Sequence, residues 1–125
     1  RLRSAERGEV IVFHWPASNG EDHLKRISGL PGERVLVRDN TVKIFNSENP
    51  AGLILNESYL DANAVTSGTT DVTLKEDQYF VLGDNRSVSF DSRSWGPLNA
   101  NLIVGKVALR IWPPEATQAF GAEQY

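Results

Sequence analysis

Glu33-Arg34-Val35-Leu36-Val37-Arg38-Asp39-Asn40-Thr41-Val42-Lys43-Ile44-Phe45 is a pair of β-branched runs joined by two turn-forming residues. Asp and Asn tolerate the left-handed backbone that a two-residue hairpin loop demands, so the stretch predicts a tight antiparallel hairpin. Just upstream, Gly29-Leu30-Pro31-Gly32 is a turn of residues with special backbone geometry. It closes Asp22-His23-Leu24-Lys25-Arg26-Ile27-Ser28, a second predicted strand. Alternation places His23, Lys25 and Ile27 on one face of that strand, and Leu24 and Arg26 on the other. Earlier still, Glu9-Val10-Ile11-Val12-Phe13-His14-Trp15 runs from Gly8 to Pro16, and its unbroken apolar centre predicts a strand buried on both faces. Asn19-Gly20 marks a turn, and residues 1–7 read as a polar linker or exposed strand end.

Downstream of the hairpin the pattern loosens. Asn49-Pro50-Ala51-Gly52 is a turn, Leu53-Ile54-Leu55 a short apolar run, and Thr66-Ser67-Gly68-Thr69-Thr70 the most linker-like piece. Asp71-Val72-Thr73-Leu74 alternates, and Gln78-Tyr79-Phe80-Val81-Leu82 is a further predicted strand. Residues 102–112 predict a long last strand with Gly105 as a bulge, ended by Pro113-Pro114, and the tail 114–125 is expected to be loose or a short helix. Short strands, Gly/Pro turns and no 3.6-residue periodicity predict an all-β, barrel-like single domain of antiparallel sheets. Its expected core is residues 7–38 and 78–113, with 39–77 as a cap-like insertion.

Composition removes several functions. The chain has 125 residues, a formal net charge of −3 and scattered Lys and Arg, so it lacks the basic face that nucleic acid requires. The absence of cysteine excludes disulfides, thiolate metal sites and a Cys nucleophile. The absence of methionine suggests a segment cut from a longer protein. No apolar run of about 18 residues is present, so no membrane span is expected within these residues. His14 and His23, without a helical His-Glu pattern, make no zinc site, and no P-loop lysine spacing accompanies the glycines. Neither a metal nor a cofactor is expected.

Two places could carry chemistry. Gly83-Asp84-Asn85-Arg86-Ser87-Val88-Ser89-Phe90-Asp91-Ser92-Arg93 crowds paired charges and hydroxyls between apolar flanks. Asp84 and Asp91 beside Arg86 and Arg93 should be ion-paired acids of lowered pKa, unsuited to general-acid work. Lys25 is either a surface lysine whose stem covers apolar neighbours or a buried one. Burial would depress its pKa and make the amine a possible base for a serine hydroxyl.

Three stretches together resemble consecutive sequence boxes of bacterial type I signal peptidases, in order and spacing. They are Gly8-Glu9-Val10-Ile11-Val12-Phe13, Leu24-Lys25-Arg26-Ile27-Ser28-Gly29-Leu30-Pro31-Gly32-Glu33-Arg34-Val35, and the charged stretch from Gly83 to Arg93. The resemblance covers residues 7–113 and implies the coiled β-fold shared with self-cleaving Ser–Lys regulators. It also implies a membrane-anchored serine endopeptidase that removes signal peptides from exported preproteins outside the cytoplasm. By this resemblance Lys25 is the general base and Ser89 the hydroxyl that orients its amine. Asp91 and Arg93 stiffen the site with Arg26 close by, and Gly83, Asp84, Asn85 and Arg86 form the turn that brings Ser89 to Lys25. Phe13, Val81 and Phe90 should wall the lysine with apolar surface. The edge at Asp22, His23 and Leu24 should pair with an extended substrate carrying small Ala-like residues.

The family's nucleophile lies in a Ser-x-x-Pro motif, usually Ser-Met-x-Pro, ahead of these boxes. No such motif precedes the first strand, and Ser4 is a poor substitute. The anchor, part of the oxyanion hole and one side of the cleft are expected to lie in the same missing portion. His23 stands where the family commonly has an aromatic. Two other readings are a non-catalytic relative such as a pilus-assembly accessory protein, and a self-cleaving regulator. Lys25 and Ser89 argue against the first, and the Gly-Asp-Asn-Arg box against the second.

Overall fold

Nine short strands and one turn of helix make up the computed structural model over residues 5–15, 21–87 and 90–107, which are the residues it describes. The strands are β1 (Val10–His14), β2 (Asp22–Gly29), β3 (Arg34–Arg38), β4 (Thr41–Phe45), β5 (Leu53–Ile54), β6 (Thr70–Thr73), β7 (Gln78–Leu82), β8 (Leu98–Asn99) and β9 (Ile103–Lys106). Helix α1 is Ser92–Trp95. One sheet has the order β8-β7-β2-β1-β9 and the other β5-β4-β3-β6, with every pairing antiparallel.

The hairpin forms as its sequence requires. Asp39 and Asn40 have φ of 53° and 63°, the left-handed geometry that lets two residues reverse the chain without splaying the strands. Alternation then buries Val35, Val37, Val42 and Ile44 on one face of the second sheet. They meet Phe80 and Leu82, which point from β7 toward them, together with Leu74. On the opposite face of the first sheet, Ile11, Phe13, Ile27, Tyr79, Val81, Leu98 and Ile103 make a second cluster. Each fully buried side chain of this size contributes roughly 1.5–3 kcal/mol from area removed from water. Gly29 lies where the sheets touch. A Cβ there would come within 2.6 Å of Val35 Cγ2 and 3.0 Å of Phe80 Cβ.

Several details differ from the sequence reading. β3 lies in the second sheet, between β4 and β6. The segment before β1 is no exposed linker over its described part. Ala5 is buried in the cluster of Ile11 and Phe13, its N–H donates to the Tyr79 hydroxyl at 3.3 Å, and Arg7 grips Glu33 at 2.7 and 2.8 Å. Burial would raise the Glu33 carboxyl, but the bonds from Arg7, Asn46 and the Leu30 amide hold it below the ordinary range. The last strand is short within the described residues, because Leu102 ends a 3-10 turn (Ala100–Leu102). Its predicted bulge is present. Val12 faces Gly105 while Phe13 faces Ile103, leaving Val104 as the extra residue. The remainder of the expected strand and the tail 114–125 lie outside the described residues.

Candidate active site

Lys25 enters the site through strand pairing. It lies directly opposite Ile11, as His23 lies opposite Phe13 and Ile27 opposite Val81. Cross-strand partners share a face, so Lys25 stands on the side occupied by Ile11, Phe13, Ile27 and Val81, all 0–1% exposed. Lys25 itself is 7% exposed. Burial pushes its amine below the ordinary lysine value, against the opposing pull of the Asp91 and Asp84 carboxylates. His23 fills the place of an aromatic in a literal sense, since its ring stacks on Phe13 with centroids 5.7 Å apart. Behind Phe13, Trp95 and Trp15 extend the aromatic wall at 5.9 and 4.5 Å.

The charged stretch is organised by Asp91. Its carboxylate caps α1, accepting the Arg93 amide at 3.1 Å, and also accepts the Gly83 amide at 3.0 Å. The Arg93 guanidinium adds a fork at 2.9 Å to each oxygen. Burial alone would raise this carboxyl, but the Arg93 and Gly83 bonds hold it below the ordinary range. Ser92 Oγ accepts the Val81 amide at 2.9 Å, which ties the helix start to β7. Four residues of helix would not persist alone. This cap and these cross-links hold them.

Arg26 points to the other face of β2. It is fully buried and forks onto Asp84 with contacts of 2.6–3.2 Å, while a third bond reaches the Gly8 carbonyl at 2.8 Å. The Tyr59 ring covers its guanidinium at 4.2 Å. Arg86 does not pair with Asp84, as the sequence spacing suggested. Its guanidinium reaches out of the turn to Glu57 at 2.6 Å, Thr66 Oγ1 at 2.8 Å and the Gly83 carbonyl at 2.8 Å. Asn85 is half-buried in the same turn.

Among the expected site residues, Lys25, Phe13 and Val81 therefore share one face, and the Asp91–Arg93 pair forms with the expected partners. Phe90 does not wall the lysine. It is 68% exposed, because the chain turns into the Asp91 cap immediately after it. Ser89 lies outside the described residues. Asp22, His23 and Leu24 pair with β1, whereas β7 begins to pair with β2 only at Arg26, so among the described residues no strand covers that edge. Ile11, Ser92, Glu57 and Tyr59 were not anticipated. For Ile11 the signal was available, since it follows from pairing the first two strands in register. Ser92 lies within the charged stretch, and nothing local gives Glu57 or Tyr59 a place in the site.

The described residues contain no cluster of three or more His, Cys, Asp or Glu fit to hold a metal, and no helix long and apolar enough to cross a membrane. The family described as "Signal peptidase, peptidase S26" matches residues 1–112. "Signal peptidase IB" of Staphylococcus aureus is 32% identical, over 86% of this chain and 61% of its own length. "Probable signal peptidase I-2" of Synechocystis is 40% identical, over 90% of this chain and 51% of its own length. The crystal structure of a signal peptidase I from Enterococcus faecalis superposes with a TM-score of 0.68 at 31% identity, covering 86% of this chain and all of that one. The chain thus spans about half to three-fifths of the length of these curated relatives. It belongs to the signal peptidase family, peptidase S26.

Proposed function

We propose that this chain is the lysine-bearing part of the catalytic domain of a signal peptidase I, cleaving signal peptides from exported preproteins after small residues in an Ala-x-Ala pattern. The observation that carries the reading is Lys25 itself, which is buried opposite Ile11 with its ammonium form disfavoured. A neutral amine in that position is a competent base for a serine hydroxyl.

In this reading the serine of a Ser-x-x-Pro segment ahead of Arg1 attacks the carbonyl of the scissile bond, and Lys25 takes its proton. Lys25 hands that proton to the departing amine as the acyl ester forms, and water deprotonated by the Lys25 amine then cleaves the ester and releases the signal peptide. Ser89 orients the Lys25 amine, and the Asp91–Arg93 pair keeps the charged stretch in register. The substrate strand adds to the edge at Asp22, His23 and Leu24 on the side that β7 leaves uncovered. Ala5 is packed in the cluster on the Lys25 face. An anchor in that preceding portion would hold the domain on the extracytoplasmic side of a bacterial membrane.

The test uses the longer protein that carries the Ser-x-x-Pro segment. It should cleave an Ala-x-Ala peptide after the second Ala, and Lys25→Ala should lower kcat at least about 1,000-fold. Residues 1–125 alone should give no turnover. Undiminished cleavage by Lys25→Ala would overturn the assignment, and Lys25-dependent cleavage by residues 1–125 would relocate the nucleophile.

A further inference from the structure

The segment between β5 and β6 has no strand or helix over residues 55–69, yet it supplies the partners of two buried arginines. Glu57 Oε2 accepts from Arg86 at 2.6 Å and from the Tyr59 hydroxyl at 3.2 Å. The Tyr59 ring covers Arg26 at 4.2 Å, and Thr66 Oγ1 accepts from Arg86 at 2.8 Å. Both guanidinium groups have side-chain exposure of 0%, so water does not share this work. Burial and the neighbouring Glu57 carboxylate push the Tyr59 phenol above its ordinary range, which keeps it an O–H donor.

These contacts lead toward the lysine by a short route. Arg86 holds the Gly83 carbonyl, the Gly83 amide holds Asp91, and Arg93 returns from Asp91 to the Arg86 carbonyl at 2.8 Å. Arg26 follows Lys25 on β2 and holds Asp84. The two carboxylates that act on the Lys25 amine, Asp91 and Asp84, are thus both fastened to the turn that the loop clamps. The clamp is made of few contacts. A cavity of about 490 Å³ separates the rest of the loop, at Leu60 and Val65, from the turn at Asp84 and Asn85.

We propose that Glu57 and Tyr59 are positioning residues of the active site, capping Arg86 and Arg26 so that the Gly83–Arg86 turn stays closed over the lysine-bearing strand. The inference rests on Lys25 being the base. Without Glu57 the buried Arg86 cation has lost its carboxylate, and the turn opens to solvate it. Water then reaches Lys25. Its own strand carries His23 on the same face, β1 presents uncharged Ile11, and the turn side presents Asp84 and Asp91 with their arginines. Desolvation outweighs the two carboxylates at this amine, so hydration moves its titration up toward that of an exposed lysine.

The chain has four lysines, which makes a direct reading practical. In residues 1–125 labelled with 13Cε-lysine, the Lys25 resonance is assigned from Lys25→Arg and titrated. Glu57→Ala and Tyr59→Leu should each raise its midpoint by about one pH unit or more, and Glu57→Gln, which keeps an acceptor for Arg86, by less. Asp71→Asn, which breaks the exposed pair with Arg34, should leave it unchanged. An unmoved Lys25 midpoint in folded Glu57→Ala overturns the proposal. Should that variant not fold, an unmoved midpoint in both Glu57→Gln and Tyr59→Leu does so. In the longer protein, Glu57→Gln should lower kcat about tenfold or more with KM within about twofold, and a change confined to KM counts against positioning. If Lys25→Ala still cleaves, the peptidase reading falls, while the lysine titration continues to decide the role of Glu57.

Discussion

Lys25 and Arg26 are neighbours on β2, both cations, both buried, and they face opposite sides of the same sheet. The Arg26 side is fully furnished, with a forked carboxylate, a backbone carbonyl and an aromatic ring around a group that cannot give up its proton. The Lys25 side offers Ile11, Phe13, Ile27 and Val81, and its amine titrates below the ordinary lysine range. The difference lies in what the chain supplies around each cation. Partners fix a buried charge, and their scarcity among the described residues leaves that of Lys25 negotiable.

The sharpest way to break this contrast is to delete each cation and compare the signs. Arg26→Leu strands Asp84, whose side chain is 6% exposed, and should lower stability by about 3–5 kcal/mol in urea unfolding. Arg26→Leu combined with Asp84→Leu should recover most of that loss, because no uncompensated charge remains. Lys25→Met should do the reverse at neutral pH and raise stability by about 1–2 kcal/mol. Its dependence on pH follows from linkage. The folded-state value lies below the unfolded 10.5, so between the two the unfolded chain binds more protons and wild-type stability climbs with pH. The gain from Lys25→Met should therefore shrink as pH rises toward 10.5. A loss of stability in both single variants would erase the distinction. Ser28 supplies the smallest refinement, as a neutral buried group on the same strand whose hydroxyl has no hydrogen-bond partner among the described residues. Ser28→Ala should be neutral or stabilising by up to about 1 kcal/mol, since an unmade bond is removed rather than a made one. A clear loss would show that this hydroxyl has a partner.

The sequence disclosed whatever depends on neighbours along the chain. Asp39-Asn40 announced the hairpin because few residue pairs accept two left-handed conformations in succession. Alternation put Lys25 with Ile27 before any pairing was known, and the Asp91–Arg93 pair was legible because its members are two residues apart. Contacts across the fold were not legible. Asp84 pairs with an arginine 58 residues away rather than with the nearer Arg86. Glu57 sits in a stretch without periodicity and acquires its role only when β7 carries Arg86 up to it. Helix α1 escaped notice because four residues carry no periodicity to read, and the Asp91 cap that starts it is also the partner of Arg93.

The strand order also sets a sequence of events during folding. The β3–β4 hairpin closes over two residues, and its sheet is complete once β6 has been made. The first sheet joins β1 to β9, which arrives about ninety residues later, and β2 to β7. Loop closure over such separations is paid late, after local contacts have formed. In a chain that emerges from its N-terminus, β1 and β2 can pair early, but the lysine between them stays wet until β7 and the segment through Arg93 dock. A nascent chain therefore carries an ordinary protonated lysine at position 25. On the proposed reading of Lys25 as a base, its usefulness arises only with the last long-range contacts.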